Sequence, residues 1–130
     1  MKHAPLLDSF GRVHTYLRLS VTDRCNYRCV YCMPEEGFDW LKKEKLLTYE
    51  EMTTLVRVFA SLGIRHVRIT GGEPTIRKDL YKLVAAIKQI PGIEEVSMTT
   101  NGQLFAKSAT QLANAGLDRI NISLDTLKED

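Results

Sequence analysis

The sequence has 130 residues, 44% apolar and 26% charged, a balance that suits one soluble globular domain. With 18 Lys and Arg against 16 Asp and Glu the net charge is +2, which makes no case for a nucleic-acid partner. No apolar run approaches the ~20 residues of a membrane span, and Met1–Phe10 lacks the apolar stretch of a secretory signal, so a cytoplasmic location without membrane contact is expected.

Residues 1–14 read as an N-terminal extension and 15–130 as one core domain. A first strand is expected over Thr15–Thr22, followed by the cysteine-bearing segment. A long charged loop then covers Met33–Leu47 and carries Phe38 and Trp40. Thr48 lies three residues before Glu51, a capping-box spacing that opens a helix. Met52, Leu55, Val56 and Phe59 follow at helical intervals, and Gly63 suits the position after its end. A second strand is expected over Arg65–Thr70, ending in Gly71-Gly72. The next helix starts near Lys78 and places Leu80, Leu83, Val84 and Ile87 on one face. Pro91-Gly92 marks a turn. A third strand covers Glu95–Thr100, a helix Leu104–Ala115 stops at Gly116, and a fourth strand covers Asp118–Leu124.

Strands alternating with helices imply parallel strands joined by right-handed crossovers, an α/β fold. Four strands cannot close a barrel, and Lys128-Glu129-Asp130 comes where another helix should begin. The expectation is therefore four β/α units of a longer barrel-like protein, incomplete at the C-terminus.

Parallel strands covered on both faces read as nearly continuous apolar runs. These strands alternate instead. Leu17, Leu19 and Val21 oppose Arg18, Ser20 and Thr22; Val67 and Ile69 oppose Arg68 and Thr70. Val96 and Met98 oppose Ser97 and Thr99; Ile120, Ile122 and Leu124 oppose Asn121, Ser123 and Asp125. The apolar faces should meet the helices. The polar faces should gather on the other side, where arginine forks among hydroxyls suit a phosphate or carboxylate ligand. The plainer reading leaves that face in solvent.

All three cysteines, Cys25, Cys29 and Cys32, fall within eight residues just past the first strand. An odd, clustered set argues against a disulfide scaffold and for a metal or cluster. In parallel α/β folds that end of the strand is where sites sit. Three thiolates can hold an iron–sulfur cubane and leave one iron open to a chelating ligand. Structural zinc wants a fourth ligand, and His14 is not an obvious one. A thioredoxin-like pair would use Cys29 and Cys32 and leave Cys25 unexplained.

The C-x3-C-x2-C spacing resembles the signature of the radical S-adenosylmethionine (SAM) superfamily. Gly71-Gly72-Glu73-Pro74, directly after the second strand, resembles that superfamily's motif for the SAM amino group. Four stretches are similar to the GTP 3′,8-cyclase family of molybdenum cofactor biosynthesis: Arg18 to Gly37, Arg68 to Pro74, Thr99 to Gly102, and Ile122 to Thr126. The resemblance implies a partial (β/α)6 barrel, of which this chain supplies the first four units. It implies that Cys25, Cys29 and Cys32 ligate a [4Fe–4S] cluster. Tyr31, Gly72 and Ser123 would contact SAM, and Arg18, Arg68 and Thr99 would contact GTP. Arg18, Arg68, Thr99 and Ser123 all lie on the polar face that alternation selects. The implied reaction uses a 5′-deoxyadenosyl radical to make (8S)-3′,8-cyclo-7,8-dihydroguanosine 5′-triphosphate. It also implies an electron donor and a second C-terminal [4Fe–4S] cluster outside these residues, and it allows a homodimer in the full-length protein. Phe38 and Trp40 either shield the cluster from water or simply pack the loop. Another radical SAM enzyme, such as a peptide maturase, and a non-catalytic zinc module are the alternatives.

Overall fold

The computed structural model describes residues 4–25 and 42–128. Four parallel strands form one sheet in the order β1-β2-β3-β4: β1 Tyr16–Ser20, β2 His66–Thr70, β3 Glu95–Thr100 and β4 Arg119–Ile122. The helices α1 Tyr49–Ser61, α2 Leu80–Lys88 and α3 Phe105–Ala115 supply the crossovers, with α1 packed beside α2 and α2 beside α3. Sequential strand order is the topology of a barrel segment rather than of a doubly wound sheet, where the order reverses.

The expected capping box is present. The Thr48 hydroxyl accepts from the Glu51 N–H at 3.1 Å, and the Glu51 carboxylate accepts from the Thr48 N–H at 2.8 Å. Met52 and Val56 are buried on the inner face of α1, but Leu55 is 41% exposed, at the edge of the apolar stripe. The helix expected near Lys78 starts at Leu80. A short 3₁₀ helix, Pro74–Ile76, comes first, and Asp79 takes a left-handed conformation with φ 57° before the chain turns helical. Aspartate is one of the few residues that tolerate that region. A second 3₁₀ helix, Lys43–Lys45, lies in the described part of the segment expected as loop. In the N-terminal extension Leu7 and Val13 form an antiparallel bridge. Backbone N–H groups of Arg12 and Phe10, with the side chains of Arg12 and His14, hold the Asp8 carboxyl down to about 2.

The core lies between sheet and helices. Leu19, Val21, Val67, Ile69, Val96 and Met98 from the strands meet Met52, Val56, Leu80, Leu83, Val84, Ile87 and Leu112. Each fully buried branched side chain of this kind stabilises the fold by about 1.5–3 kcal/mol. Asp118 fastens the far end: its carboxylate accepts from Lys88 Nζ and from the Val96 N–H, each at 2.8 Å. Burial pushes that carboxyl up, but the bonds to Lys88 and Val96 outweigh it and the net shift is downward. Among the described residues, no helix is long and apolar enough to cross a membrane.

Candidate functional site

Strand register fixes which polar residues share a row. Arg18 pairs with Arg68, Arg68 with Ser97, and Ser97 with Arg119. In the neighbouring row Ser20 pairs with Thr70, and Thr99 with Asn121. Paired residues point to the same side of a sheet, so this polar surface is continuous over four strands. It faces away from the helix-covered core.

Arg68 is at the centre of this surface. Its Nη1 donates to the Thr99 hydroxyl at 3.1 Å and to the Asn121 side-chain oxygen at 2.8 Å. Its Nε donates to the Tyr16 hydroxyl, and the guanidinium carbon sits 5.8 Å from the centroid of the Tyr16 ring. One arginine therefore joins all four strands. These bonds hold the guanidinium in place and leave its Nη2 N–H groups out of that network. Arg18 stands next to it in register, exposed on the edge strand. Ser123 follows β4, exposed, with its N–H donating to the Thr100 carbonyl at 2.9 Å.

At the C-terminal end of the sheet, pairing between β1 and β2 continues into the motif loops. The Val21 N–H donates to Thr70 O at 3.0 Å, the Gly72 N–H to Thr22 O at 2.8 Å, and the Glu73 N–H to Arg24 O at 2.7 Å. The approach admits glycine alone. A Cβ on Gly72 would stand 1.9 Å from Arg24 O, and one on Gly71 would stand 2.7 Å from Thr22 O. Cys25 follows directly and is half-buried. Arg77 secures the other side of this loop. It donates to Val21 O and Leu47 O, each at 2.6 Å, and stacks 4.5 Å from the centroid of the Tyr49 ring. A cleft of about 680 Å³ among Thr22, Arg24, Tyr49, Arg77 and Lys78 borders the segment but includes none of Arg18, Arg68, Thr99 or Ser123.

Of the residues singled out from sequence, Arg68 and Thr99 are directly bonded, Arg18 adjoins them, and Cys25 and Gly72 are brought together by the extended ladder. Cys29, Tyr31 and Cys32 lie outside the described residues, as do Phe38 and Trp40. The reading missed Tyr16 as a partner of Arg68. Tyr16 has the same strand parity as Arg18, which was the available signal. Parity places Asn121 on the polar face but gives it no role. The motif gives no sign that the Glu73 side chain turns inward, where it is 2% exposed and hydrogen-bonded on both carboxylate oxygens.

The donor chemistry fits an iron–sulfur group. A half-buried thiol sits at the C-terminal end of a parallel strand beside a backbone that admits glycine alone, and two more cysteines follow within seven residues of it in sequence. Among the described residues no other cluster of three His, Cys, Asp or Glu side chains competes for a metal. His14, the nearest histidine considered for zinc, is 3.2 Å from Asp8 Oδ2.

The chain is 54% identical over 125 residues to the GTP 3′,8-cyclases of Campylobacter lari and Lactiplantibacillus plantarum, covering 96% of this chain but 39% and 38% of theirs. It is 54% identical over 129 residues to molybdenum cofactor biosynthesis protein 1 of Drosophila melanogaster, covering 99% of this chain and 23% of that protein. The chain thus spans about two-fifths or less of the length of these curated relatives. Among solved structures, BtrN in an open conformation superposes with a TM-score of 0.62 at 22% identity, covering 91% of this chain and 53% of that one. BtrN in complex with AdoMet and 2-DOIA gives 0.59 at 21% identity, covering 85% and 46%. These two likenesses establish the fold. The model of the radical SAM superfamily matches residues 19–130, from the first strand through the cysteine motif to the last strand, and the chain belongs to that superfamily.

Proposed function

We propose that this chain forms the N-terminal, catalytic-site part of a GTP 3′,8-cyclase, with 15–130 as its radical SAM core and 1–14 as an extension. The observation that carries the reading is the 54% identity to a cyclase over 96% of the chain. The superfamily works with SAM and a [4Fe–4S] cluster, which together supply the power to abstract hydrogen from an unactivated C–H bond.

Cys25, Cys29 and Cys32 would hold the cluster at the C-terminal end of β1. Tyr31, the Gly72 backbone and Ser123 would receive SAM. Docking of Gly71 and Gly72 against the Thr22–Arg24 backbone keeps that receiving edge next to the first thiolate. Arg18, Arg68 and Thr99 would bind GTP, with the guanidinium forks matched to its phosphate oxygens. Thr99 and Asn121 keep Arg68 from rotating, so its remaining N–H groups present one fixed fork. The relatives are more than twice as long as this chain, and the reading assigns a second [4Fe–4S] cluster and the remaining GTP contacts to their further sequence. It also requires an external electron donor, and it allows a homodimer.

The test is anaerobic reconstitution of the full-length protein with iron and sulfide, followed by GTP, SAM and reductant, with products read by mass spectrometry. A brown protein that cleaves SAM and yields the 3′,8-cyclised triphosphate is expected. Cleavage of SAM with GTP returned unchanged would defeat the cyclase reading and leave the superfamily membership standing. A colourless, zinc-loaded protein would defeat the cluster as well.

A further inference from the structure

Glu73 belongs to the Gly71–Pro74 motif, but no contact proposed above uses its side chain, which is 2% exposed. Its carboxylate is met from two directions. Within its own turn it accepts from the Thr75 N–H at 3.2 Å and from the Thr75 hydroxyl. From the exit of β3 it accepts from the Thr100 hydroxyl and from the Asn101 N–H, the latter at 2.8 Å. Thr100 is equally buried, and its oxygen accepts from the Gly102 N–H at 3.1 Å.

All four groups around the carboxylate are donors. The two backbone N–H groups cannot reverse. The Thr100 hydroxyl is committed too, since it takes a bond from Gly102 while giving its proton to Glu73. An amide at position 73 would turn an NH2 against a backbone N–H whichever way it lay. A buried carboxylate is tolerated only when so fully bonded. The Glu73 backbone N–H meanwhile donates to Arg24, one residue before Cys25. Three loops therefore meet at one residue: the loop of the first cysteine, the Gly71–Pro74 turn, and the Thr100–Gly102 turn next to Thr99.

We propose that Glu73 and Thr100 are positioning residues that set the Gly72 edge, where SAM is received, against the Thr99–Asn101 edge, where the second substrate lies. The inference rests on the reading that Gly72 contacts SAM. A plain structural brace, when weakened, would cost stability alone. A positioning link also costs ligand affinity in protein that keeps its fold and its cluster.

The test compares wild type, Thr100→Val, Thr100→Ser and Glu73→Gln as anaerobically reconstituted proteins. Iron and sulfide content, Tm, the Kd for SAM by equilibrium dialysis, and the change that SAM makes in the electron paramagnetic resonance spectrum of the reduced cluster are measured. Thr100→Val should weaken SAM binding roughly fivefold and blunt the spectral change in protein that stays folded with full iron content and a lowered Tm, while Thr100→Ser restores binding and spectrum. Glu73→Gln should weaken SAM binding roughly tenfold or more. If Glu73→Gln does not fold, the Thr100 pair decides. The proposal is overturned if Thr100→Val binds SAM as wild type does, or if Val and Ser are equally impaired. If wild type itself binds no SAM, the Gly72 reading falls and takes this inference with it. If wild type binds and Thr100→Val matches it, only the positioning role falls.

Discussion

The two faces of the sheet come from the same strands and obey different demands. On one, Val67, Ile69, Val96 and Met98 are fully buried under the helices. On the other, Arg68, Thr99, Asn121 and Tyr16 bond to one another across the strands, partly or fully open to solvent. The first face has little to do but exclude water, and any side chain of the right volume serves. The second must hold donors at fixed places, and there one atom exchanged matters more than volume. Changes on the first face should therefore move stability, and changes on the second should move ligand affinity at nearly constant stability.

The largest expected effect is on the covered side. Ile69→Ala removes a fully buried branched chain and should cost about 3 kcal/mol in urea denaturation. Gly72→Ala comes next and acts at the boundary between the two faces. Its Cβ meets the Arg24 carbonyl, which is backbone and cannot rotate aside, so the exits of β1 and β2 must separate. A stability loss of about 2 kcal/mol is expected, with failure to hold iron, both read on the reconstituted protein. On the open side, the proposed function predicts for the full-length protein that Arg68→Ala leaves the denaturation midpoint almost unchanged and weakens GTP binding roughly tenfold, and that Arg68→Lys does not restore it, because an ammonium has no fork. Asn121→Ala, which removes one of the bonds that orient Arg68, should weaken GTP binding roughly threefold. Equal losses of stability from Ile69→Ala and Arg68→Ala would erase the contrast.

The smallest effect concerns alkaline pH. Burial pushes the Tyr49 phenol up to about 12 from 10.0, against the pull of Arg77. The folded state holds this proton more tightly than the unfolded chain does. Its contribution is whole below about pH 10 and is lost as pH climbs from there toward 12. Urea midpoints across that window should fall for wild type, and the fall should be shallower for Tyr49→Phe.

Local signals in the sequence told the larger part of the fold. The Thr48–Glu51 pair marks the start of α1, the apolar alternation spans β3 at its full extent, and the same alternation separates the two faces. What escaped depends on distance across the sheet. Strand parity places Tyr16 and Asn121 on the polar face, but only inter-strand register tells whether they reach Arg68. Leu55 fits a helical interval, yet the width of the covered stripe is set by the neighbouring α2. The inward turn of Glu73 follows in part from donors twenty-seven and twenty-eight residues away, which a four-residue motif cannot reveal.

The hydrogen-bond ladder that runs past β1 and β2 into the Thr22–Arg24 and Gly72–Glu73 backbones has an entropic consequence. A receiving loop that already has its backbone amides paired need not be ordered by whatever arrives. The free energy of association is then spent on the ligand's own contacts instead of on freezing chain, and slow amide exchange at Gly72 and Glu73 in cofactor-free protein would be its signature.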